Sequence, residues 1–190
     1  MTQPDKLTVS EPGRVMIFAN PIAGRGLGVQ IAHKLEAKLR ATGYRVETFL
    51  QRSAELSDDQ INQPAQAAVI IGGDGTLRAV AERLIQADVL PPLLTVPLGT
   101  ANLMGQHLGI RWKNRSDVED HIVAAIEKHQ ILPLDAGRAN GRLLLLMAGV
   151  GYDAQVIHRL HHNRKGPIRF KDYLVPALLA LREHTAVPLR

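Results

Sequence analysis

The residues best suited to chemistry are Gly72, Gly73, Asp74, Gly75 and Thr76, which follow the apolar run Val69 to Ile71. Glycines after a buried strand let the backbone approach a ligand closely, and the first N–H groups of a following helix favour an anion. The expected ligand is a phosphate group. Asp74 would repel phosphate unless a divalent metal ion or a transferable proton lies between them. The alternative is a plain strand–helix turn in which Asp74 caps a helix.

A second polar turn, Pro97 to Asn102, follows the apolar segment Leu93 to Val96, and a helical segment follows the turn. In an open parallel sheet, the ligand crevice lies at the carboxyl ends of the strands. Both turns are therefore predicted to face one site.

The elements that must position these turns alternate between strand and helix. Residues 14–19 read as a first strand, a helix from Leu27 has apolar residues at helical spacing, and residues 44–49 read as a second strand. A further apolar stripe from Leu77 ends before Pro91. The pattern predicts an α/β fold with a Rossmann-like parallel sheet. The glycines after the first strand, together with Glu47, also resemble the fingerprint of a dinucleotide-binding turn. The third glycine position of that fingerprint is Val29 in this chain, so a nicotinamide-dependent oxidoreductase is a weak alternative.

The pattern changes near residue 131. After a helix at 116–130, opened by a Ser116–Glu119 capping box, Asn140-Gly141 predicts a hairpin turn between strands at 134–138 and 142–148. We expect a flexible leader at 1–13 and a nucleotide-binding α/β domain at 14–130. Residues 131–190 would begin a mainly antiparallel β domain and include two helices around a basic loop.

Composition narrows the class of protein. The chain has no cysteine, which excludes a disulfide scaffold, and its polar start offers no signal-peptide core. No apolar run approaches the roughly 20 residues that a membrane-spanning helix needs. These features lead us to expect a cytoplasmic protein.

Charge is concentrated in the last third of the chain. Residues 1–130 contain 14 Lys and Arg against 14 Asp and Glu, whereas residues 131–190 contain 9 against 4. The basic residues of 158–171, interleaved with apolar ones, suit peripheral contact with an anionic membrane, here the inner membrane surface. An ordinary surface loop is an equally good interpretation. Nucleic-acid binding explains the charge less well because the few aromatics form no stacking platform, and a homo-oligomer is left open.

Five segments in order resemble the diacylglycerol kinase catalytic-domain family, which includes sphingosine, ceramide and YegS-like lipid kinases. They are Asn20-Pro21 with Gly24 and Gly26, Gly72 to Thr76, Pro97 to Asn102, Leu134 to Gly137 with Asn140-Gly141, and Gly149 to Asp153. The resemblance implies the NAD kinase/diacylglycerol kinase-like fold. It also implies transfer of the γ-phosphate of ATP, with Mg²⁺, to a lipid hydroxyl of a diacylglycerol-like or sphingoid acceptor. Because NAD kinases share the GGDGT segment, NAD phosphorylation is a less favoured alternative.

The same resemblance implies roles for individual residues. Asp74 would be catalytic, holding Mg²⁺ or helping to deprotonate the lipid hydroxyl, and Asp135 would join the magnesium-water network. Asp153 would lie near the lipid head, on weaker grounds. The residues implied to hold the nucleotide are Asn20, Gly24, Arg25, Gly72, Gly73, Gly75, Thr76, Gly99, Thr100 and Asn102.

Two departures from the family pattern bear on catalysis. Many members follow the Gly-Thr-x-Asn turn with an acid, where this chain has Leu103. The family also has a late Asp-Gly-Glu segment that supplies the general base, which we expect beyond residue 190, so that the chain would be truncated early in its second domain. A non-catalytic nucleotide-binding or regulatory module is therefore the main alternative to a lipid kinase.

Overall fold

The computed structural model describes residues 13–110, 117–162 and 170–183. The chain divides into two compact units, one that extends to Leu145 and one that begins at Leu146. Each unit is described by itself. The domain boundaries expected at residues 13 and 131 stay predictions.

The first unit is built on a parallel sheet of four strands, β1 (Arg14–Ala19), β2 (Arg45–Phe49), β3 (Ala67–Gly72) and β4 (Leu93–Pro97). Their order across the sheet is β2-β1-β3-β4. Every residue of the two central strands is buried, because helices cover both faces of the sheet. The predicted α/β fold with a parallel sheet is confirmed.

Alternate residues of β1 point to opposite faces of the sheet and into two separate apolar clusters. Val15 and Ile17 pack with helices α1 (Leu27–Ala41) and α5 (Val118–Lys128). Met16 and Phe18 pack with the helices of the other face, which are α2 (Asp58–Ile61), α3 (Asp74–Gln86) and α4 (Leu103–His107). One-turn 3₁₀ helices lie at Ala23–Gly26 and Ser53–Glu55.

Most of the predicted elements have the predicted position. The helix expected from Leu27 buries Ile31, Leu35 and Leu39, as its spacing required. Helix α3 begins at Asp74, three residues before the apolar stripe, because Gly73 already stands at its N-cap. The N-cap of α5 is Asp117, without a side-chain cap, and Ser116 of the predicted capping box lies outside the described residues.

The predicted hairpin is present, with shorter strands than expected. It consists of β5 (Gly137–Ala139) and β6 (Arg142–Leu144), paired antiparallel, and φ is 50° at Asn140 and 77° at Gly141. Its second strand docks on α3, where the Leu143 N–H donates to Glu82 Oε1 at 3.1 Å. That main-chain hydrogen bond, assisted by Arg78, holds the pKa of Glu82 below its usual value. The hairpin therefore belongs to the first unit.

The second unit contains α6 (Tyr152–His162), a 3₁₀ turn (Phe170–Tyr173) and α7 (Leu174–Glu183). The two helices are tied by the Tyr152 hydroxyl, which donates to the carbonyl of Ala177 at 2.9 Å, and Ala180 is fully buried. Two helices were predicted here, and the basic loop between them, 163–169, lies outside the described residues. No helix in the described part of the chain is long and apolar enough to cross a bilayer.

The amino end of the sheet is fixed by a buried arginine. Arg14 is 3 % exposed and meets both carboxylate oxygens of Glu47, at 3.3 and 2.8 Å. It also donates to the carbonyl oxygens of Gln63 and Pro64, at 2.6 and 3.2 Å. Glu47, the acid of the imperfect dinucleotide fingerprint, lies in the middle of β2 and is engaged by Arg14, which removes the main support for that alternative.

We predict that Arg14→Met lowers the free energy of unfolding by about 2–4 kcal/mol, because Glu47 and two carbonyl groups lose their donor. Lys34→Ala, on the exposed side of α1, serves as control and should change it by less than about 0.5 kcal/mol. Urea unfolding followed by circular dichroism measures both. Equal stability of the two variants would show that the Arg14 contacts contribute nothing net.

Candidate functional site

The site lies at the carboxyl edge of the sheet, where three adjacent strands end at nearly the same level. Ala19 pairs with Ile71, and Gly72 pairs with Pro97. Each strand continues directly into one of the three polar turns found in the sequence. The register of the sheet therefore brings the turns together, as the sequence predicted for two of them.

The turn after β3 leads into a helix without a spacer. Gly73 is extended, with φ −98° and ψ −178°, and its carbonyl accepts the N–H groups of Thr76 and Leu77 at 2.9 and 3.0 Å. The first N–H groups of α3 have no partner within the helix, as at any helix start. They lie beside Gly75, which is exposed. This is the arrangement that suits a phosphate oxygen.

The turns after β3 and β4 touch through two glycines. A Cβ added to Gly99 would lie 2.6 Å from the Cα of Gly73, and one added to Gly73 would lie 3.0 Å from the Cα of Gly99. Leu98 N–H donates to the carbonyl of Gly72 at 2.8 Å and extends the strand pairing into the turns. Any side chain at Gly99 would separate the two turns.

Asn102 closes the second turn from inside. Its backbone is left-handed, with φ 51°, and its side chain binds both main-chain groups of Gly99. Oδ1 accepts the Gly99 N–H at 2.7 Å, and Nδ2 donates to the Gly99 carbonyl at 2.8 Å. Gly99 and Thr100 are left exposed at the tip. Asn102 thus shapes this turn, whatever else it contacts.

The first turn is joined to the Gly72–Thr76 turn through Asn20 and lies next to Leu98 of the second turn at Gly24. Its N–H donates to the carbonyl of Ile71 at 3.1 Å, and its Nδ2 donates to the hydroxyl of Thr76 at 3.3 Å. Gly24 has φ 57°, and a Cβ there would lie 3.4 Å from the side chain of Leu98. Arg25 belongs to the same turn, and its side chain lies outside the described part.

Asp74 makes contacts that the sequence did not reveal. Its Oδ2 accepts the N–H of Leu103 and its Oδ1 accepts the N–H of Met104, both at 3.0 Å. The carboxylate therefore caps α4, a helix that begins 29 residues later in the chain. Capping of a helix by Asp74 was the structural alternative considered from the sequence, although no sequence signal identified α4 as the helix.

The other acidic candidates lie elsewhere. Asp135 is in an exposed segment between α5 and β5, and Asp153 is in the first turn of α6, in the second unit. Within the described ranges, no group of three or more His, Cys, Asp or Glu side chains could hold a metal ion. The role of Asp135 in a magnesium network stays a prediction.

Of the predicted nucleotide residues, the structure brings together those of all three turns at one edge. The sequence did not reveal the contacts that hold these turns in place. They are the hydrogen bond from Asn20 to Thr76, the hydrogen bonds between Asn102 and Gly99, and the capping of α4 by Asp74. A short polar side chain three residues after a turn glycine was the available signal for Asn102. The other two join residues far apart in sequence and left no local signal.

The fold and the site define an α/β protein with three glycine-bearing turns at the carboxyl edge of a parallel sheet. Residues 14–139 match the family model described as the diacylglycerol kinase catalytic domain. The match covers most of the chain, and the chain therefore belongs to this family, as the resemblance of its motifs implied.

Named relatives agree with the family. The chain is 28% identical over 145 residues to a diacylglycerol kinase of Bacillus subtilis, which covers 73% of this chain and 46% of that protein. It is 28% identical over 179 residues to a diacylglycerol kinase of Mycobacterium tuberculosis, with 90% and 55% covered. A diacylglycerol kinase structure from Bacillus anthracis has a TM-score of 0.53 at 21% identity, covering 70% of this chain and 48% of that one. The chain thus spans about half the length of these relatives, and the structural likeness concerns the fold.

We predict that Gly99→Ala lowers the free energy of unfolding by about 1–3 kcal/mol, because its Cβ meets the Gly73 backbone and Asn102 Oδ1, neither of which can move freely. Gly75→Ala is the matched control. A Cβ there has nothing within 4 Å, and alanine favours the first turn of α3. Thermal and urea unfolding compare the two. A Gly99 variant as stable as the Gly75 variant would contradict the close approach of the turns.

Proposed function

We propose that the protein is an ATP- and Mg²⁺-dependent lipid kinase that transfers the γ-phosphate to a hydroxyl of a diacylglycerol-like or sphingoid lipid. The observation that carries the proposal is the meeting of three glycine-bearing turns, at Gly24, Gly73 and Gly99, on one edge of the sheet. The names of the relatives support a lipid acceptor over NAD.

Phosphoryl transfer depends on positioning of the reactants and stabilisation of charge rather than on covalent chemistry by the protein. The turns would provide both. Main-chain N–H groups at the start of α3 would hold phosphate oxygens, with the Thr76 hydroxyl oriented by Asn20. The exposed backbone of Gly99 and Thr100 would form the facing wall of the cradle. Position 72, at the end of β3, has to be a glycine, since a Cβ there would lie 2.8 Å from the side chain of Thr76.

The described residues fit a magnesium ion that arrives on the nucleotide. Mg²⁺ is usually held by one or two carboxylates together with waters and substrate phosphates. Asp74 offers one carboxylate beside the phosphate cradle, and each oxygen keeps a lone pair beyond its main-chain hydrogen bond. Magnesium bound there would neutralise charge on the transferring phosphoryl group. Asp135 is proposed as the second contributor, through water.

Leu103 supports a second candidate, a nucleotide-binding module without catalysis. This position follows Asn102 directly, its side chain is exposed, and it offers no oxygen to a metal network. Asp74 is then the sole acid in the two turns that meet at Gly73 and Gly99. Binding and turnover must therefore be measured separately.

We predict that the chain binds ATP and that Thr76→Val weakens this binding about tenfold by removing the oriented hydroxyl. Thr42→Val, which removes a hydroxyl at the far end of α1, should leave affinity unchanged. Calorimetry gives both affinities. Incubation with γ-labelled ATP, Mg²⁺ and vesicles containing diacylglycerol or sphingosine should then yield a labelled lipid.

The remaining outcomes decide between the alternatives. ATP binding without labelled lipid would support the non-catalytic module, and NADP formed from ATP and NAD would support NAD phosphorylation. Absence of ATP binding would overturn the nucleotide site itself.

We also propose that the second unit contacts an anionic membrane surface peripherally. Leu174, Leu178 and Leu181, at helical i, i+4, i+7 spacing, are 59–67 % exposed along one stripe of α7, while Ala180 is buried. The basic excess of this part of the chain, including Arg159 and Arg182, is complementary to anionic head groups.

We predict that the chain floats with vesicles containing phosphatidylglycerol at low salt, and less at high salt. The double variant Leu178→Ser/Leu181→Ser should reduce flotation several-fold, because it removes apolar area from the stripe. Leu90→Ser, at an exposed leucine of the first unit, is the control. Equal binding to neutral and anionic vesicles would contradict the proposal. If the double variant instead converts an oligomer of the chain into a monomer, the stripe is the interface of a homo-oligomer.

A further inference from the structure

The two carboxylate oxygens of Asp74 are directed at two consecutive main-chain donors, the N–H groups of Leu103 and Met104. Both bonds measure 3.0 Å, and Met104 is buried. A group placed only to bind a metal or accept a proton would not need both oxygens turned to the backbone. The contact between Asp74 and the start of α4 therefore needs an explanation other than metal binding or proton transfer.

Helix α4 has no cap from its own sequence. Its N-cap residue, Asn102, is in the left-handed region and makes no side-chain cap, because its amide is occupied with Gly99. The first N–H groups of a helix need acceptors, and a buried end without them is costly. Asp74 supplies both acceptors from the neighbouring turn. The negative charge also suits the positive end of the helix dipole.

The cap completes a three-part connection between the two turns. Below it, Leu98 N–H is bonded to the Gly72 carbonyl, and Gly73 packs against Gly99. The glycine contact and the Leu98 bond hold the ends of β3 and β4 together. The two Asp74 bonds add a third connection, farther along the chain, because they tie the start of α4 to the Gly72–Thr76 turn.

We propose that Asp74 is a positioning residue, which holds the Pro97–Asn102 turn and α4 in register with the Gly72–Thr76 turn whether or not a metal ion is bound. The proposal rests on the proposed function only in naming these turns as the nucleotide site. It adds to Asp74 a duty that is independent of magnesium and of any acceptor lipid.

The first test is amide hydrogen exchange on the metal-free protein in EDTA. Asp74→Asn should accelerate exchange at Leu103 and Met104 by about tenfold or more, because one oxygen acceptor becomes an NH₂ donor facing an N–H. Asp88→Asn, which removes an exposed acid at the end of α3, should leave both amides protected. Unchanged exchange in Asp74→Asn would overturn the proposal.

The second test is ATP affinity without magnesium. A positioning role predicts that Asp74→Asn weakens metal-free ATP binding about tenfold, whereas loss of a mere metal ligand would leave it unchanged or tighter, because a negative charge near the phosphates is removed. If the wild-type chain binds no ATP, the proposed function fails, while the exchange experiment still decides the role of Asp74.

Global destabilisation is distinguished with Asp74→Glu, which keeps both oxygens on a longer side chain. Asp74→Asn could also speed exchange throughout β3 and α3. In that case, the proposal is supported if Leu103 and Met104 are better protected in the Glu variant than in the Asn variant. No such recovery contradicts it.

Discussion

The site depends on the close approach of Gly73 and Gly99, whose backbones leave no room for a Cβ between them. This approach is available only because β3 and β4 are adjacent and parallel, with Gly72 opposite Pro97 at their carboxyl ends. Van der Waals contact between the two backbones holds the turns after β3 and β4 side by side. The meeting of the turns follows from this single steric condition, and the polar side chains around them refine their shape.

The remaining contacts of the cleft maintain that approach. Asn20 ties the first turn to Thr76, and Asn102 folds the second turn around Gly99. Far from the cleft, Arg14 satisfies two carbonyl groups and Glu47 at the amino edge of the sheet. The apolar clusters on both faces then hold the strands in one register. The polar contacts of Arg14, Asn20 and Asn102 thus lie near the places where parallel strands begin and end.

Most of the fold could be predicted from the sequence because its signals are local. Leu27, Ile31, Leu35 and Leu39 define one helix face, and Asn140-Gly141 defines the hairpin turn. The strands of that hairpin were predicted too long. Apolar residues such as Leu146 and Met147 continue the apolar pattern of the second strand, although the antiparallel pairing ends at Leu144. The glycine turns of the site were found by type and order. Their mutual contacts were not, because a pair such as Asp74 and Met104 is joined only by tertiary structure.

Asp74 shows why a motif does not by itself assign chemistry. In isolation, an acid among turn glycines of this kind suggests a metal ion or a proton acceptor. In the folded chain, the same carboxylate satisfies two amides that α4 cannot satisfy itself, because Asn102 is committed to Gly99. Both duties are compatible, since a hydrogen bond occupies one lone pair of each oxygen and leaves the other for water or a nucleotide-bound ion. With Leu103 in the next position offering no second acid, any metal chemistry in these two turns falls to a residue that the fold also requires for capping.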